Sequence, residues 1–184
     1  LVFAEKPSVG KDIARILGAG RRGEGFLEGQ DYIVTWGFGH LVSLGHPEVQ
    51  NPAWQKWSLE TLPMLPQEWK LSVLPSSKQQ YENVARLFNR DDVGMIINGA
   101  DAGREGELIF RLVYQHSGCQ KPITRLWISS MTDEAIKHGF DDLRAGEKYE
   151  PLAQAAVCRS RADWLVGMNF TGAYPKRLNS MFTL

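Results

Sequence analysis

The sequence predicts an α/β domain through about residue 130, built on a largely parallel sheet, with a helical segment after it. Short apolar runs flanked by glycine or acidic residues, such as residues 93–97, are typical of buried strands. Apolar residues recur at helical spacing behind that run, at Leu108, Ile109, Leu112 and Val113. Strands that alternate with helices favour a parallel sheet that carries helices on its faces.

Taken in chain order, the apolar runs predict strands or short extended pieces at residues 1–4, 31–36, 41–44, 69–74, 93–97 and 123–127. The amphipathic segments predict helices that begin near Pro7, Ser76, Arg104, Thr132 and Pro151. Ser76 is expected to cap its helix, and the helix from Thr132 is expected to end near Gly146.

The segments between these elements are predicted to be loops. Residues 45–68 are rich in proline, glycine and tryptophan and predict a long connection with about one helical turn. Residues 18–23 match the glycine pattern of dinucleotide-binding proteins by letters. That pattern must follow a strand, and here it follows a helix, so we interpret it as a helix end and a loop. The chain is therefore expected to divide into a domain at residues 1–130 and a helical segment at residues 131–184.

Composition and charge narrow the function classes only moderately. The 184 residues carry 21 basic and 21 acidic side chains, so there is no global basic field, although a local basic groove remains compatible with nucleic acid. Cys119 and Cys158 lack metal-ligand spacing and predict buried free thiols in a reducing, cytoplasmic compartment. No apolar run is long enough to span a bilayer, so we expect no membrane partner. The first and last residues are typical of a piece cut from a longer chain.

Three carboxylates are expected at one edge of the predicted sheet. Glu5 and Asp101 each follow a predicted strand directly, and Glu105 lies in the first turn of the helix after Asp101. The carboxyl ends of parallel strands meet at the same edge, where ligands bind in open α/β sheets. Carboxylate oxygens suit a hard cation such as Mg²⁺, although a single carboxylate near a helix start is more often a cap.

For Glu107 we favour a structural role over a role in the metal site. It lies two residues beyond Glu105 and therefore points to another side of the helix. We expect it to be a solvated helix residue that pairs with Arg111 at i,i+4, an interaction worth only about 0.2–0.5 kcal/mol.

Five ordered motifs resemble those of type IA DNA topoisomerases, especially the topoisomerase III branch. They are LVFAEKPS at residues 1–8, WGFGHLV at 36–42, DAGREGE at 101–107, LWISSMT at 126–132 and RSRADWLVGMN at 159–169. The resemblance runs over essentially the whole chain. It implies a TOPRIM domain, which is a small Rossmann-like parallel sheet flanked by helices, followed by the start of the next, helical topoisomerase domain.

The resemblance also implies functional roles. Glu5, Asp101 and Glu105 would hold Mg²⁺, and Glu5 and Lys6 would act at the scissile phosphate of single-stranded DNA. Arg104 would contact DNA. Of Arg159 and Arg161, one would reach DNA phosphate while the other pairs with Asp163 or with water, and we favour Arg159 for the DNA contact. His40 would either meet phosphate or be a hydrogen-bonded structural residue in its glycine turn. Helicases and single-strand-binding proteins are the partner classes implied.

The sequence departs from the common family pattern at two points. Gly103 stands where the usual Asp-x-Asp-x-Glu motif has its middle carboxylate, which puts a second metal ion in question. The nucleophilic tyrosine lies beyond this length in the family, so the chain alone is expected not to cleave DNA. Two alternatives stay open: a TOPRIM nuclease or primase, and a non-catalytic module that binds nucleic acid.

Overall fold

The computed structural model describes residues 1–178, and its side chains through residue 174. The strands are β1 (Val2–Ala4), β2 (Arg21–Gly23), β3 (Phe26–Glu28), β4 (Ile33–Trp36), β5 (Val42–Leu44), β6 (Leu71–Val73), β7 (Ile96–Gly99), β8 (Ile123–Arg125) and β9 (Arg144–Ala145). The α-helices are α1 (Pro7–Ile16), α2 (Pro47–Gln50), α3 (Lys78–Phe88), α4 (Arg104–His116), α5 (Asp133–Asp141) and α6 (Glu150–Leu178).

The chain forms two compact units. The first comprises Leu1–Val42 and Val73–Ala156, and the second comprises Ser43–Ser72 together with the part of the chain from Val157 onward. A seven-stranded sheet in the order β2-β3-β4-β1-β7-β8-β9 lies in the first unit. Strands β5 and β6 form a separate two-stranded sheet. The division at residue 130 stays a prediction.

The predicted α/β fold is confirmed, with a sheet that is mixed at its margins. Strands β4, β1, β7 and β8 are parallel, whereas β2, β3 and β9 are added antiparallel. Ala4 is paired with Trp36 of β4 and with Gly99 of β7. The carboxyl ends of these three strands are therefore level, and the residues that follow them meet at one edge of the sheet.

Both faces of the sheet carry helices because successive side chains of a strand point to opposite sides. Phe3 packs on one face against Phe88 of α3 and Phe110 of α4, with ring centroids 6.0 Å away in each case. Val2 and Ala4 belong to the buried cluster on the other face, with Ile13 of α1 and Ile136 of α5. This two-sided burial explains why β1 reads as a continuous apolar run.

The second unit is held by polar side chains that bind backbone groups. The Trp164 indole donates to the Gly45 carbonyl at 2.9 Å. Asn169 accepts from the Met64 N–H at 2.6 Å and donates to the Met64 carbonyl at 3.1 Å. The predicted long connection at residues 45–68 is more ordered than expected, because it contains α2 and two 3₁₀ turns, Pro52–Trp54 and Leu59–Thr61.

Several local predictions were wrong in detail. Ser76 does not cap α3, because a 3₁₀ turn at Pro75–Ser77 occupies that stretch and the helix begins at Lys78. Thr132 does cap α5, with its hydroxyl accepting from the Ala135 N–H at 3.3 Å. That helix ends at Asp141 rather than near Gly146, because the chain turns to pair β9 with β8. Residues 21–23 form β2 rather than a loop.

The two cysteines differ in exposure. Cys119 is buried as predicted, whereas Cys158 is exposed, so the prediction of a buried thiol was wrong there. Its helix α6 presents residue 158 to solvent, a property that composition alone does not report. None of the helices in the described part of the chain combines the length and apolar character needed to cross a bilayer.

Candidate functional site

Glu5, Lys6 and Asp101 form a charged cluster at the carboxyl edge of the sheet. The Lys6 ammonium lies 3.2 Å from Asp101 Oδ2 and 3.5 Å from Glu5 Oε1. The Asp101 N–H donates to Glu5 Oε2 at 3.3 Å. The side chain of Glu5 is only 10% exposed, whereas those of Lys6 and Asp101 are about half exposed. The cluster therefore has a buried base and an open outer side.

Strand register places this cluster. Glu5 follows β1 directly, and Asp101 comes two residues after β7, which is the parallel neighbour of β1. The loop after β4 is fastened to the same place, because the Gly37 N–H donates to the Ala4 carbonyl at 2.9 Å and the Gly39 N–H donates to the Glu5 carbonyl at 3.1 Å. Three loops are thereby joined at one sheet edge.

Lys6 remains protonated in this arrangement. The hydrogen bond to Asp101, together with the charges of Asp101 and Glu5, raises the pKa of the Lys6 ammonium above its usual value. A cation on an exposed side chain between two carboxylates offers N–H donors and positive charge to an anion that approaches the edge.

Glu105 is turned toward His40 instead of toward the cluster. His40 Nε2 lies 2.7 Å from Glu105 Oε1, and His40 Nδ1 lies 3.3 Å from the Val42 carbonyl. Both ring nitrogens face acceptors, so the imidazole donates both hydrogen bonds at once only when it is protonated. Glu105 itself is 71% exposed on the first turn of α4.

Glu107 is the largest departure from expectation. The pairing with Arg111 is confirmed, at 2.9 Å, but Glu107 is not solvated, because its side chain is only 1% exposed. Its second oxygen accepts from the Asn98 amide at 2.9 Å and lies 3.2 Å from Nε of Arg125, which is also 1% exposed. The carboxylate is therefore a buried counter-charge.

Arg125 holds the loop that carries Asp101. Its Nη1 donates to the carbonyls of Asn98 and Ala100 at 2.9 and 2.7 Å, and its Nη2 donates to the Asp101 carbonyl at 2.8 Å. Burial lowers the pKa of this guanidinium, and Glu107 opposes that shift. The guanidinium carbon also lies 5.0 Å from the centroid of the Trp127 ring. Sequence reasoning missed Glu107 and Arg125, and their only signal was their position beside the acidic motif and the β8 run.

Two glycines of the acidic motif have different requirements. A Cβ on Gly106 would lie 2.2 Å from the Asp101 carbonyl oxygen, so the first turn of α4 and the Asp101 loop approach each other only because residue 106 has no side chain. A Cβ on Gly103 would have no atom within 4 Å among the described residues. Gly103 is therefore not demanded by packing.

The donor set fits a hard divalent cation. Glu5 and Asp101 supply carboxylate oxygens that lie 3.5 and 3.2 Å from one cation, the Lys6 ammonium. Among the side chains that the structure describes, no three from His, Cys, Asp and Glu are close enough to form a ready cage. Carboxylates from only one or two residues are the usual protein contribution to Mg²⁺, which keeps several waters and binds substrate phosphates.

The predicted DNA-binding arginines lie on helices of different units. Arg104 is exposed at the first position of α4. Arg159 lies in the second unit, 67% exposed, with Nε 3.6 Å from Asp163. Arg161 takes a different partner, because its guanidinium carbon lies 5.5 Å from the centroid of the Trp69 ring. The expected division was therefore wrong in this respect, because Arg159, which was favoured for DNA, is the arginine that pairs with Asp163.

Comparison with known proteins decides the family. The Toprim domain family matches residues 1–131. The chain belongs to the Toprim family. Over 183 residues it is 48% identical to DNA topoisomerase 3 of Bacillus subtilis (strain 168), covering 100% of this chain and 25% of that protein. It is 50% identical over 180 residues to DNA topoisomerase 3 of Bacillus anthracis, covering 98% of this chain and 25% of that one.

A solved structure shows the same fold. Full-length topoisomerase I from Thermotoga maritima matches this Toprim chain with a TM-score of 0.59 and 19% identity, over 92% of this chain and 25% of that one. The resemblance to topoisomerase III is confirmed by the two Bacillus relatives, and the chain spans about a quarter of their length.

Proposed function

We propose that this chain is the Toprim part of a topoisomerase III-like enzyme, which binds Mg²⁺ and single-stranded DNA and assists cleavage, strand passage and religation by a tyrosine of another domain. The observation that carries the proposal is the Glu5–Lys6–Asp101 cluster at the carboxyl edge, together with 48% identity to a DNA topoisomerase 3 over the whole chain. The whole enzyme is an isomerase, and its compartment is the cytoplasm.

Each site residue has a distinct task in this proposal. Glu5, Asp101 and Glu105 hold Mg²⁺, which neutralises phosphate charge when it is bound. Lys6 donates to a phosphate oxygen, and its raised pKa keeps it charged for this task. Glu5, whose Oε2 accepts from the Asp101 N–H at 3.3 Å, takes or gives the proton at the leaving oxygen.

DNA contact is proposed for Lys6, Arg104, Arg159 and His40. The first two lie within or beside the acidic motif, and His40 hydrogen-bonds Glu105. If Glu105 bound the cation, His40 would lose this partner, and its imidazole would then be free to donate to a phosphate. Helicases and single-strand-binding proteins are the proposed partners of the whole enzyme.

The metal site is tested by thermal denaturation with and without Mg²⁺. At a Mg²⁺ concentration 100 times Kd, binding stabilises the chain by about 2.7 kcal/mol, and for a domain of this size this raises Tm by roughly 5–11 °C. The double variant Asp101→Asn, Glu105→Gln is expected to lose the shift, whereas Glu134→Gln, a control in α5, keeps it. A shift that survives the double variant places the cation elsewhere.

DNA binding is tested by titrating a labelled single strand at several salt concentrations. Three contacts to phosphate, from Lys6, Arg104 and Arg159, predict a log–log slope of about −2. Lys6→Ala is expected to lower this slope by about 0.7, and an affinity independent of salt contradicts the assignment.

The same labelled DNA also distinguishes a topoisomerase from a Toprim nuclease. The chain alone is expected to leave the DNA intact with Mg²⁺ or Mn²⁺, because carboxylates and a cation do not supply the tyrosine oxygen. Products with free ends that disappear in Glu105→Ala would favour a Toprim nuclease. A tyrosine-linked product on restoring the further domains supports the topoisomerase.

A further inference from the structure

A cavity of about 340 Å³ opens beside the charged cluster. It lies in the first unit, between the turn that joins β2 to β3, the loop after β4 and the start of α3. Trp36, Phe38, Gln80 and Asn83 are among its walls. Because β4 ends level with β1, this cavity belongs to the same edge of the sheet as Glu5.

The loop that carries Phe38 is tied to the cluster on both sides of that residue. The N–H groups of Gly37 and Gly39 donate to the carbonyls of Ala4 and Glu5, at 2.9 and 3.1 Å. Gly39 adopts a positive φ of 75°, a conformation that glycine adopts without steric cost. Phe38 is therefore held in a fixed loop rather than on a free one.

Phe38 is nonetheless 57% exposed, so its ring is open to a ligand. The backbone that lines the cavity behind it is held by hydrogen bonds from Gln80. The Gln80 amide donates to the carbonyls of Trp36 and Gly25 at 2.6 and 3.1 Å. The Phe38 ring is thus exposed next to a cavity wall whose backbone carbonyls, at Trp36 and Gly25, are already hydrogen-bonded.

Asn83 gives the cavity an unpaired polar group. The residue is only 9% exposed, and its amide forms no hydrogen bond with any residue that the structure describes. Since no described partner occupies this amide, a ligand in the cavity that offers both a donor and an acceptor can bind it. Glu24 is the only charged residue among the described ones that line the cavity, and the Gln79 amide hydrogen-bonds it.

We infer that this cavity binds one unpaired nucleobase of the DNA strand whose phosphate lies at the Glu5–Lys6–Asp101 cluster. A neutral, planar group with polar edges matches an exposed aromatic ring beside an unpaired amide. A phosphate does not match, since the described residues of the wall include a carboxylate and no cation. The inference rests on the proposed function, because it takes the neighbouring cluster as the phosphate site.

The test compares two labelled strands of equal length by fluorescence anisotropy, with Mg²⁺ present. One is oligodeoxythymidylate and the other is an abasic strand with the same sugar–phosphate backbone. The chain is expected to bind the thymidylate strand about 10-fold more tightly, within the range of base–aromatic stacking. Phe38→Ala is expected to reduce this preference to less than about twofold without changing the affinity for the abasic strand, and Phe38→Trp is expected to retain it.

Two further variants sharpen the test. Asn83→Leu keeps the volume but removes the amide, and is expected to weaken binding of the thymidylate strand about threefold or more while the abasic strand is unaffected. Phe170→Ala, which removes an exposed ring of α6, is the matched control and is expected to leave both affinities unchanged.

The outcomes separate this inference from the proposed function. Equal affinity for the two strands, or a base preference that Phe38→Ala leaves intact, overturns the base pocket alone. Binding of the thymidylate strand without any binding of the abasic strand, and without a Mg²⁺-dependent shift in Tm, supports base binding at Phe38 but overturns the phosphate site, and with it the assignment of base and phosphate to one strand. Failure of both strands to bind overturns both.

Discussion

Replacing Glu107 with Gln keeps the shape of the side chain and removes only its charge. In the native chain this carboxylate lies 3.2 Å from Nε of Arg125, and both side chains are 1% exposed. The variant leaves a buried guanidinium whose nearest counter-charge is gone. Removing one partner of a buried ion pair costs about 3–5 kcal/mol. At about 2–4 °C per kcal/mol for a chain of this size, Tm is expected to fall by roughly 6–20 °C.

The matched control is Glu105→Gln, the same change two residues earlier on the same helix. Glu105 is 71% exposed, so its loss is expected to change the free energy of unfolding by less than about 1 kcal/mol. Thermal and urea denaturation without Mg²⁺ measures both variants. Glu105→Gln is expected to reduce the Mg²⁺-dependent shift, whereas Glu107→Gln lowers Tm even when no Mg²⁺ is present.

A double-mutant cycle with Arg125→Met isolates the pair. The two single changes are expected to be non-additive by about 1–3 kcal/mol, because each removes the same interaction. A Glu107→Gln variant that melts within about 2 °C of the native chain, or changes that add without coupling, would refute the view that Glu107 neutralises Arg125.

The remaining predictions concern the loop and one surface ion pair. Gly106→Ala is expected to destabilise the chain by about 1–3 kcal/mol and to weaken the Mg²⁺-dependent shift, because its Cβ would meet the Asp101 carbonyl oxygen at 2.2 Å. Gly103→Ala, whose Cβ would meet no described atom, is expected to cost only a few tenths of a kcal/mol. Equal effects of the two changes in melting experiments would contradict this. The bidentate hydrogen bonds of Arg15, at 2.7 and 2.9 Å, lower the pKa of the Asp133 carboxyl, so this pair adds stability above the ordinary pKa of 3.8 and loses it as pH falls through the lower, folded-state pKa. Asp133→Asn is therefore expected to be less stable than the native chain at pH 7 and equal to it at about pH 2, and a difference that persists in acid would point to another cause.

The central strands were predictable because they are buried on both faces. Residues 1–4 and 93–97 read as continuous apolar runs, and they contain or overlap β1 and β7. The outer strands were not predictable in this way. Strands β2 and β9 have two or three residues with polar or small side chains and are mostly exposed, so backbone pairing alone defines them.

The site shows the same division. Glu5 and Asp101 were predicted to lie at one sheet edge because each follows a strand, and the register of β1 with β7 accounts for their contact through Lys6. Whether Glu105 faces that cluster depends on a side-chain rotation on an exposed first turn. In the structure the Glu105 carboxylate instead lies 2.7 Å from Nε2 of His40.

The sequence by itself determined the order of most strands and helices, the sheet edge at which Glu5 and Asp101 lie, and the family that the motifs indicate. Only the tertiary structure decided that Glu107 and Arg125 are buried. Charged side chains are almost always solvated, and local pattern gives no reason to bury one. Burial becomes favourable here because β8 brings a guanidinium to the inner side of α4. There the carbonyls of residues 98, 100 and 101 accept from its Nη groups, and the Glu107 carboxylate, 3.2 Å from its Nε, neutralises its charge.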